Sequence, residues 1–279
     1  MSGIGMAHGV AEIGFRDDAG ETRLKSLFHA DPLRVVFPNR ARDDIIAGVL
    51  VTTSGGLVGG DRIEVSVDVD AAARAQLAGQ AAEKIYRSAG TDTEIVVDLT
   101  VGDGGWLEWL PQETILFDGA RLRRRTYADV AAGAQLLAGE MLVFGRTAMG
   151  EAITGGLVRD AWEVRRDGRL VWADALQLDE AIAEDLVDAA RFDGARAFAS
   201  LVYVGDDAGE RLALARSLLD DFADVSGLRV GATCLGDVLL VRWLGRESLL
   251  LRNAFGDFWA AFRHVVAGLP AALPRLWHV

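Results

Sequence analysis

The sequence predicts a mainly β fold of layered antiparallel β-sheets, with two α-helices toward the C-terminus. Three observations predict it. Ile63-Glu64-Val65-Ser66-Val67-Asp68-Val69-Asp70 alternates apolar and polar residues without a break, the pattern of a strand with one buried and one wet face. Asp167-Gly168 separates Ala161-Trp162-Glu163-Val164 from Leu170-Val171-Trp172, and an Asp-Gly pair accepts the positive φ of a tight hairpin turn. Helical spacing is confined to the last third of the chain.

The elements follow in order. Residues 1–21 read as a flexible N-terminus. Stretches 33–37, 49–53, 63–70, 95–101, 136–144 and 172–178 are rich in β-branched and aromatic residues and read as strands. The 32 glycines fit many turns and bulges. Stretch 179–190 is acidic and reads either as a solvated helix or as a loop after the hairpin. Residues 207–222 place Leu212, Ala215, Leu218, Leu219 and Phe222 on one helical face, with Asp206 or Asp207 available as N-cap. Residues 238–241 read as a buried strand. Residues 255–268 repeat Phe255, Phe258, Trp259, Phe262, Val265 and Val266 at helical spacing, and Gly268 and Pro270 stop the helix. No repeat and no mid-chain proline linker divides the 279 residues, so a single domain over 1–279 is expected.

Composition narrows the function. The formal net charge is -12, which argues against a nucleic-acid or anionic-membrane footprint. No apolar run reaches the ~20 residues of a membrane helix, and the N-terminus lacks the charged and apolar regions of a secretory signal. The single cysteine, Cys234, forms no intrachain disulfide and fits a reducing cytoplasm. The four histidines, at 8, 29, 264 and 278, have no i, i+4 pair, which excludes a His-Glu-x-x-His zinc site. Only Lys25 and Lys84 interrupt an otherwise all-arginine set of basic residues. Arginine and lysine differ in shape and hydration, so a retained lysine marks a place to look.

Four segments carry unusual residue patterns. Thr53-Ser54-Gly55-Gly56-Leu57-Val58-Gly59-Gly60-Asp61 is a tight glycine device that leads into a strand. It lacks the Lys-Ser/Thr of a phosphate loop and meets no helix N-terminus. Its structural reading is a pair of glycine turns, with Asp61 capping the second through backbone N–H groups. Gln80-Ala81-Ala82-Glu83-Lys84-Ile85-Tyr86-Arg87-Ser88, if extended, puts Gln80, Lys84 and Tyr86 on one face and Glu83 and Arg87 on the other. Leu107-Glu108-Trp109-Leu110-Pro111-Gln112-Glu113-Thr114 has a proline in an apolar run, which implies an edge or a bulge. Gly139-Glu140 precedes Gly145-Arg146-Thr147-Ala148-Met149-Gly150-Glu151. Glu140 interrupts an apolar strand, so it is either on the solvent face or buried and paired, with Arg146 its nearest partner in sequence. Arg121-Leu122-Arg123-Arg124-Arg125 reads as a solvated basic face. No nucleophile and base stand at a telling spacing, so the chain reads as a non-enzyme.

Together and in this order, the four segments resemble the urease accessory protein D family, UreD or UreH. The carriers are Gly55, Gly56, Gly59, Gly60 and Asp61; Gln80, Lys84, Tyr86 and Arg87; Pro111, Gln112 and Glu113; and Glu140, Arg146, Gly150 and Glu151. The likeness runs over about residues 22–270. One departure is Ala78-Gly79, where many members carry Thr-Thr. The resemblance implies a β-helix-like stack within the layered sheets. It implies a bacterial, cytoplasmic chaperone of urease maturation that assists nickel insertion, with no tightly bound cofactor and transient nickel at most. Its partners would be apo-urease, accessory protein F and, through F, the accessory GTPase G, with no nucleic acid and no membrane. Asp61 and Glu140, with Glu113 and Glu151 behind them, become candidates for a weak carboxylate path for nickel, since oxygen ligands alone hold that ion loosely. The remaining motif residues become candidates for partner binding. A pure protein-binding scaffold without a metal path and an unrelated β-fold hydrolase are the alternatives.

Overall fold

The computed structural model describes residues 6–146 and 149–278. Alternating residues build two facing sheets. The first holds β1 (His8–Asp18), β2 (Glu21–Ala30), β5 (Arg62–Val69), β8 (Thr93–Val101), β11 (Arg121–Val130), β13 (Leu157–Arg166) and β14 (Arg169–Asp179), in the order β14-β13-β11-β8-β5-β1-β2. The second holds β3 (Leu33–Val36), β4 (Ile46–Thr52), β6 (Arg74–Gly79), β9 (Trp106–Leu110), β12 (Gln135–Phe144), β15 (Ala197–Val204), β16 (Leu228–Leu235) and β17 (Val238–Gly245), in the order β16-β17-β15-β12-β9-β6-β4-β3. Two short strands, β7 (Glu83–Ile85) and β10 (Thr114–Leu116), pair with each other, and β10 pairs with β12.

The chain coils as the resemblance implies. It passes from β5 to β6, β7 and β8, then to β9, β10 and β11, and on to β12. Equivalent side chains therefore stack from coil to coil. In the first sheet Val65, Val97, Thr126 and Trp162 stand in register. Along the short strands the row is Leu57, Ile85, Leu116 and Phe144. All of these but Thr126 are buried apolar groups in the core between the sheets. Their removal from water is the main stabilising term.

Two expectations need correction. The inner strands are not antiparallel: β1, β5, β8, β11 and β13 run parallel, as do β4, β6, β9 and β12. Alternation reports a half-buried face but not the direction of the neighbour. A connection that crosses to the opposite sheet brings the next strand back in the same direction. Antiparallel pairs occur at the ends of the stack, including the expected Asp167-Gly168 hairpin between β13 and β14. The second correction concerns residues 1–21. Residues 1–5 lie outside the described residues, but His8–Asp18 form β1, with Ala11, Ile13 and Phe15 buried between the sheets.

A third layer covers the far face of the second sheet. Outside that layer, stretch 179–190 resolves to the short helix α1 (Ile182–Val187) after β14, which buries Ile182 and Leu186 in the core between the sheets. Helix α2 (Ala208–Asp220) lies within the expected span. Asp207 stands at its N-cap position, but its carboxylate accepts from Tyr203 and from Arg211 Nε (2.6 Å) and does not cap. Helix α3 (Ser248–Ala267) starts seven residues before the expected aromatic run, because nothing in 248–254 breaks a helix. Gly268 ends it at φ 66, as expected. Phe255, Phe258, Trp259 and Phe262 pack into a second core with Leu137, Met141 and Trp243 of the sheet. Among the described residues no helix is long and apolar enough to cross a membrane.

Candidate functional site

The glycine segment folds as two turns. Asp61 N–H donates to Val58 O (3.0 Å), and the Asp61 carboxylate accepts from Val58 N–H (2.9 Å) and Ala7 N–H (2.8 Å). Asp61 therefore caps the second turn. Gly59 is a close-approach position, since a Cβ there would stand 2.3 Å from Thr91 O. Gly60 has φ +96 and Gly56 φ +147, where L side chains are strained. A Cβ at Gly56 would also meet Lys84 O at 2.8 Å. Gly56→Ala is expected to lower stability by about 1–3 kcal/mol, read as a shift of the denaturant midpoint.

The motifs converge on a cavity of about 220 Å3 between the sheets. Exposed Gly55, Gln80 and Lys84, with half-buried Gly56, frame its mouth. Pro111, Gln112 and Glu83 line it, and Leu50, Val65 and Val97 form apolar wall. Arg124 and Glu140 lie at its buried end, 2 % and 4 % exposed. Seven sequence-predicted residues thus meet here: Gly55, Gly56, Gln80, Lys84, Pro111, Gln112 and Glu140. Burial raises the Glu83 carboxyl above its usual range, against the Thr52 hydroxyl that donates to it (2.6 Å).

Of its two open readings, Glu140 is buried and paired. Its partner is Arg124 on the facing sheet (2.5 Å), not Arg146. Trp109 Nε1–H donates to the other Glu140 oxygen (2.9 Å). Arg124 also forks onto Asp160 (2.9 and 2.7 Å) and donates to Thr114 (3.1 Å). This corrects the reading of 121–125 as a wholly solvated face. Arg123 and Arg125 are exposed, whereas Arg124 occupies the inward row with Leu122 and Thr126. Sequence reasoning missed Arg124 and Asp160. The alternation Leu122, Arg124, Thr126, Ala128 and the alternation Val158, Asp160, Trp162 carried the signal.

Other motif residues form a rim beside the mouth. Tyr86 O–H donates to Gly55 O (2.7 Å), and the Tyr86 ring meets Phe117 edge-on at 4.7 Å. Arg146 lies over the same Phe117 ring at 4.3 Å and pairs with Glu151 (2.9 Å). That bond holds the Glu151 carboxyl below its usual range. Arg87 pairs with Asp118. Gly150, at φ +73, faces open space. Thr147 and Ala148 of this motif lie outside the described residues. Glu113 turns away to Arg252 of α3 (3.2 Å), beside Gln112, which also binds Arg252 (2.7 Å) and Leu276 O (3.0 Å). The structure therefore does not gather the four carboxylates: Glu140 lines the cavity, and Asp61, Glu113 and Glu151 do not. Among the described residues no three His, Cys, Asp or Glu side chains cluster to hold a metal ion.

A sequence profile of the UreD urease accessory protein family matches residues 7–278. The chain belongs to the UreD family. It is 43% identical over 273 residues to urease accessory protein UreD of Magnetococcus marinus, covering 97% of this chain and 94% of that one. It is 45% identical over 268 residues to urease accessory protein UreD 2 of Methylorubrum populi, covering 96% and 87%. With urease accessory protein UreD of Azorhizobium caulinodans the identity is 40% over 271 residues, covering 97% and 96%.

The buried charge gives this UreD-family chain a pH dependence. Burial pushes Glu140 up from 4.5 to about 7; Arg124 opposes the shift and Asp160 adds to it. Between those values the native state holds more protons than the unfolded chain, so stability falls as pH rises through that window. Glu140→Gln is expected to flatten the slope while losing about 1 kcal/mol from one N–H contact an amide cannot accept. Urea titrations at pH 5, 6, 7 and 8 would read both. An unchanged slope in the variant would assign the effect elsewhere.

Proposed function

We propose that this chain serves urease maturation as a non-catalytic scaffold. It stands between apo-urease and accessory protein F, with the accessory GTPase G joined through F, and assists delivery of nickel to urease. Nickel is cargo here, not a resident cofactor. The observation that carries the reading is the convergence of separate family motifs on one cavity mouth and rim, where Gln80, Lys84, Tyr86 and Arg146 have little to do for the core. Membership of the family whose relatives are named urease accessory proteins supports it. A cytoplasmic setting belongs to the same reading and is supported by the single, unpaired Cys234.

The test is capture of apo-urease and protein F by this chain, followed by urease activation with nickel and bicarbonate. Lys84→Glu with Gln80→Ala is expected to weaken capture about tenfold or more, because reversed charge at a rim opposes docking. Capture of neither partner would defeat the reading.

Within it, Glu140 at the cavity end and Asp61, Glu113 and Glu151 outside it are the candidates for a transient nickel path. A specific observation favours the second reading, a scaffold without a metal path: each of the four carboxylates is already engaged by an N–H group or a guanidinium. Glu140→Gln separates the two. A path predicts normal assembly with reduced activation at limiting nickel; unchanged activation there, in Asp61→Ala as well, leaves the scaffold.

A further inference from the structure

The geometry points to an oxyanion-binding site at the open end of the β16–β17 hairpin, where β16 begins and β17 ends. A depression of about 390 Å3 lies there and shares no lining residue with the inter-sheet cavity. The site would take a small molecule that carries a phosphate or carboxylate group.

The backbone places its cations. Leu228 pairs with Gly245 and Arg229 with Leu244 across the antiparallel strands, so Arg229 and Arg246 flank the Leu228–Gly245 pair diagonally on the same face. Three backbone bonds fix the surrounding turns: Arg246 N–H to Gly227 O (2.8 Å), Gly194 N–H to Leu186 O (2.7 Å) and Asp193 N–H to Asp188 O (2.9 Å). Gly194 and Gly227, at φ +81 and +83, lie against the Arg246 side chain, with an added Cβ at 3.7 and 3.6 Å from it.

Donors outnumber acceptors in this depression. Arg229 Nη2 donates to Phe192 O (3.1 Å), and Arg246 Nη2 donates to Asp193 O (3.1 Å). Each guanidinium has five N–H groups, so most are left for a ligand. Among the described residues the lining holds one carboxylate, Asp193, at 3.8 Å from both guanidiniums and outside hydrogen-bond reach. Two cations against one anion leave the depression positive in a chain of net charge -12. The exposed Ser226 adds a hydroxyl. Planar guanidinium forks match the oxygen pairs of phosphate and carboxylate. The volume falls in the ~300–1,000 Å3 range of small-ligand pockets, so it admits the oxyanion with the body that bears it.

Calorimetric titration of the full chain with inorganic phosphate, and separately with citrate, at fixed ionic strength tests this. Saturable binding is expected with at least one of them, and which one it is assigns the chemical class. Arg229→Gln and Arg246→Gln should each weaken it about tenfold or more. Asp193→Asn, which keeps the turn and removes the competing carboxylate, should tighten it several-fold. Far-UV circular dichroism would confirm that the variants fold. Heat that does not saturate with either anion, or arginine variants that bind as tightly as the unsubstituted chain, overturns the assignment.

Discussion

Replacing Arg124 by Met is expected to destabilise the protein by about 3–5 kcal/mol. Arg124 is the single cation between two carboxylates, Glu140 and Asp160, and each of the three is at most 4 % exposed. Both carboxylates hold the guanidinium charged despite burial, so its pKa lies above the ordinary arginine value. Methionine fills much of the same volume but leaves two like charges facing each other in the core. At least one of them must then take up a proton, and the penalty should grow with pH. Urea unfolding at pH 6 and pH 8 checks it, with the larger loss at pH 8. Adding Glu140→Gln and Asp160→Asn should recover much of the loss, because the damage lies in unpaired charge. A loss below about 1 kcal/mol would mean that water reaches the carboxylates through the cavity.

Arg263→Met is expected to have an effect of similar size, about 3–5 kcal/mol, in the other core. Arg263 and Glu108 are both fully buried and paired at 2.9 Å. The Trp106 Nε1–H (3.1 Å) and the Gln76 side-chain amide N–H also donate to the Glu108 carboxylate. Arg263 further binds Asp44 (2.7 Å) and Pro270 O (2.7 Å). It therefore ties α3, the second sheet, the 41–45 loop and the segment after the helix to one point. Loss of the guanidinium strands Glu108 and frees the carbonyl after the helix. Hydrogen exchange should rise at Gly268 and Ala272, and in the 41–45 loop, before it rises in the first sheet. Uniform exchange across both sheets would show instead that the two cores unfold as one.

The sequence carried the β character of the chain because burial of one strand face leaves a period of two. Residues 63–70 and 161–172 became the strand and the hairpin read from them. Gly268 stopped α3 because the position after the helix takes a positive φ, which glycine adopts without strain. The first strand was less legible: Ala11, Ile13 and Phe15 alternate, but small and glycine residues around them weaken the pattern. The motifs were legible as residues and not as a site. Asp61 and Glu140 look alike as carboxylates at strand positions, yet one caps a turn and the other is buried against Arg124.

Local patterns alone determined which faces of the clearly alternating strands turn inward, where the bodies of the two longer helices lie and which motifs the chain carries, since each depends on neighbours within a few positions. Strand direction, the Glu140–Arg124–Asp160 cluster and the separation of the four candidate carboxylates were decided by tertiary structure. Residues 124, 140 and 160 come from three strands in two sheets. Their meeting depends on the register between coils and the facing of the sheets, and no periodicity along the chain encodes either.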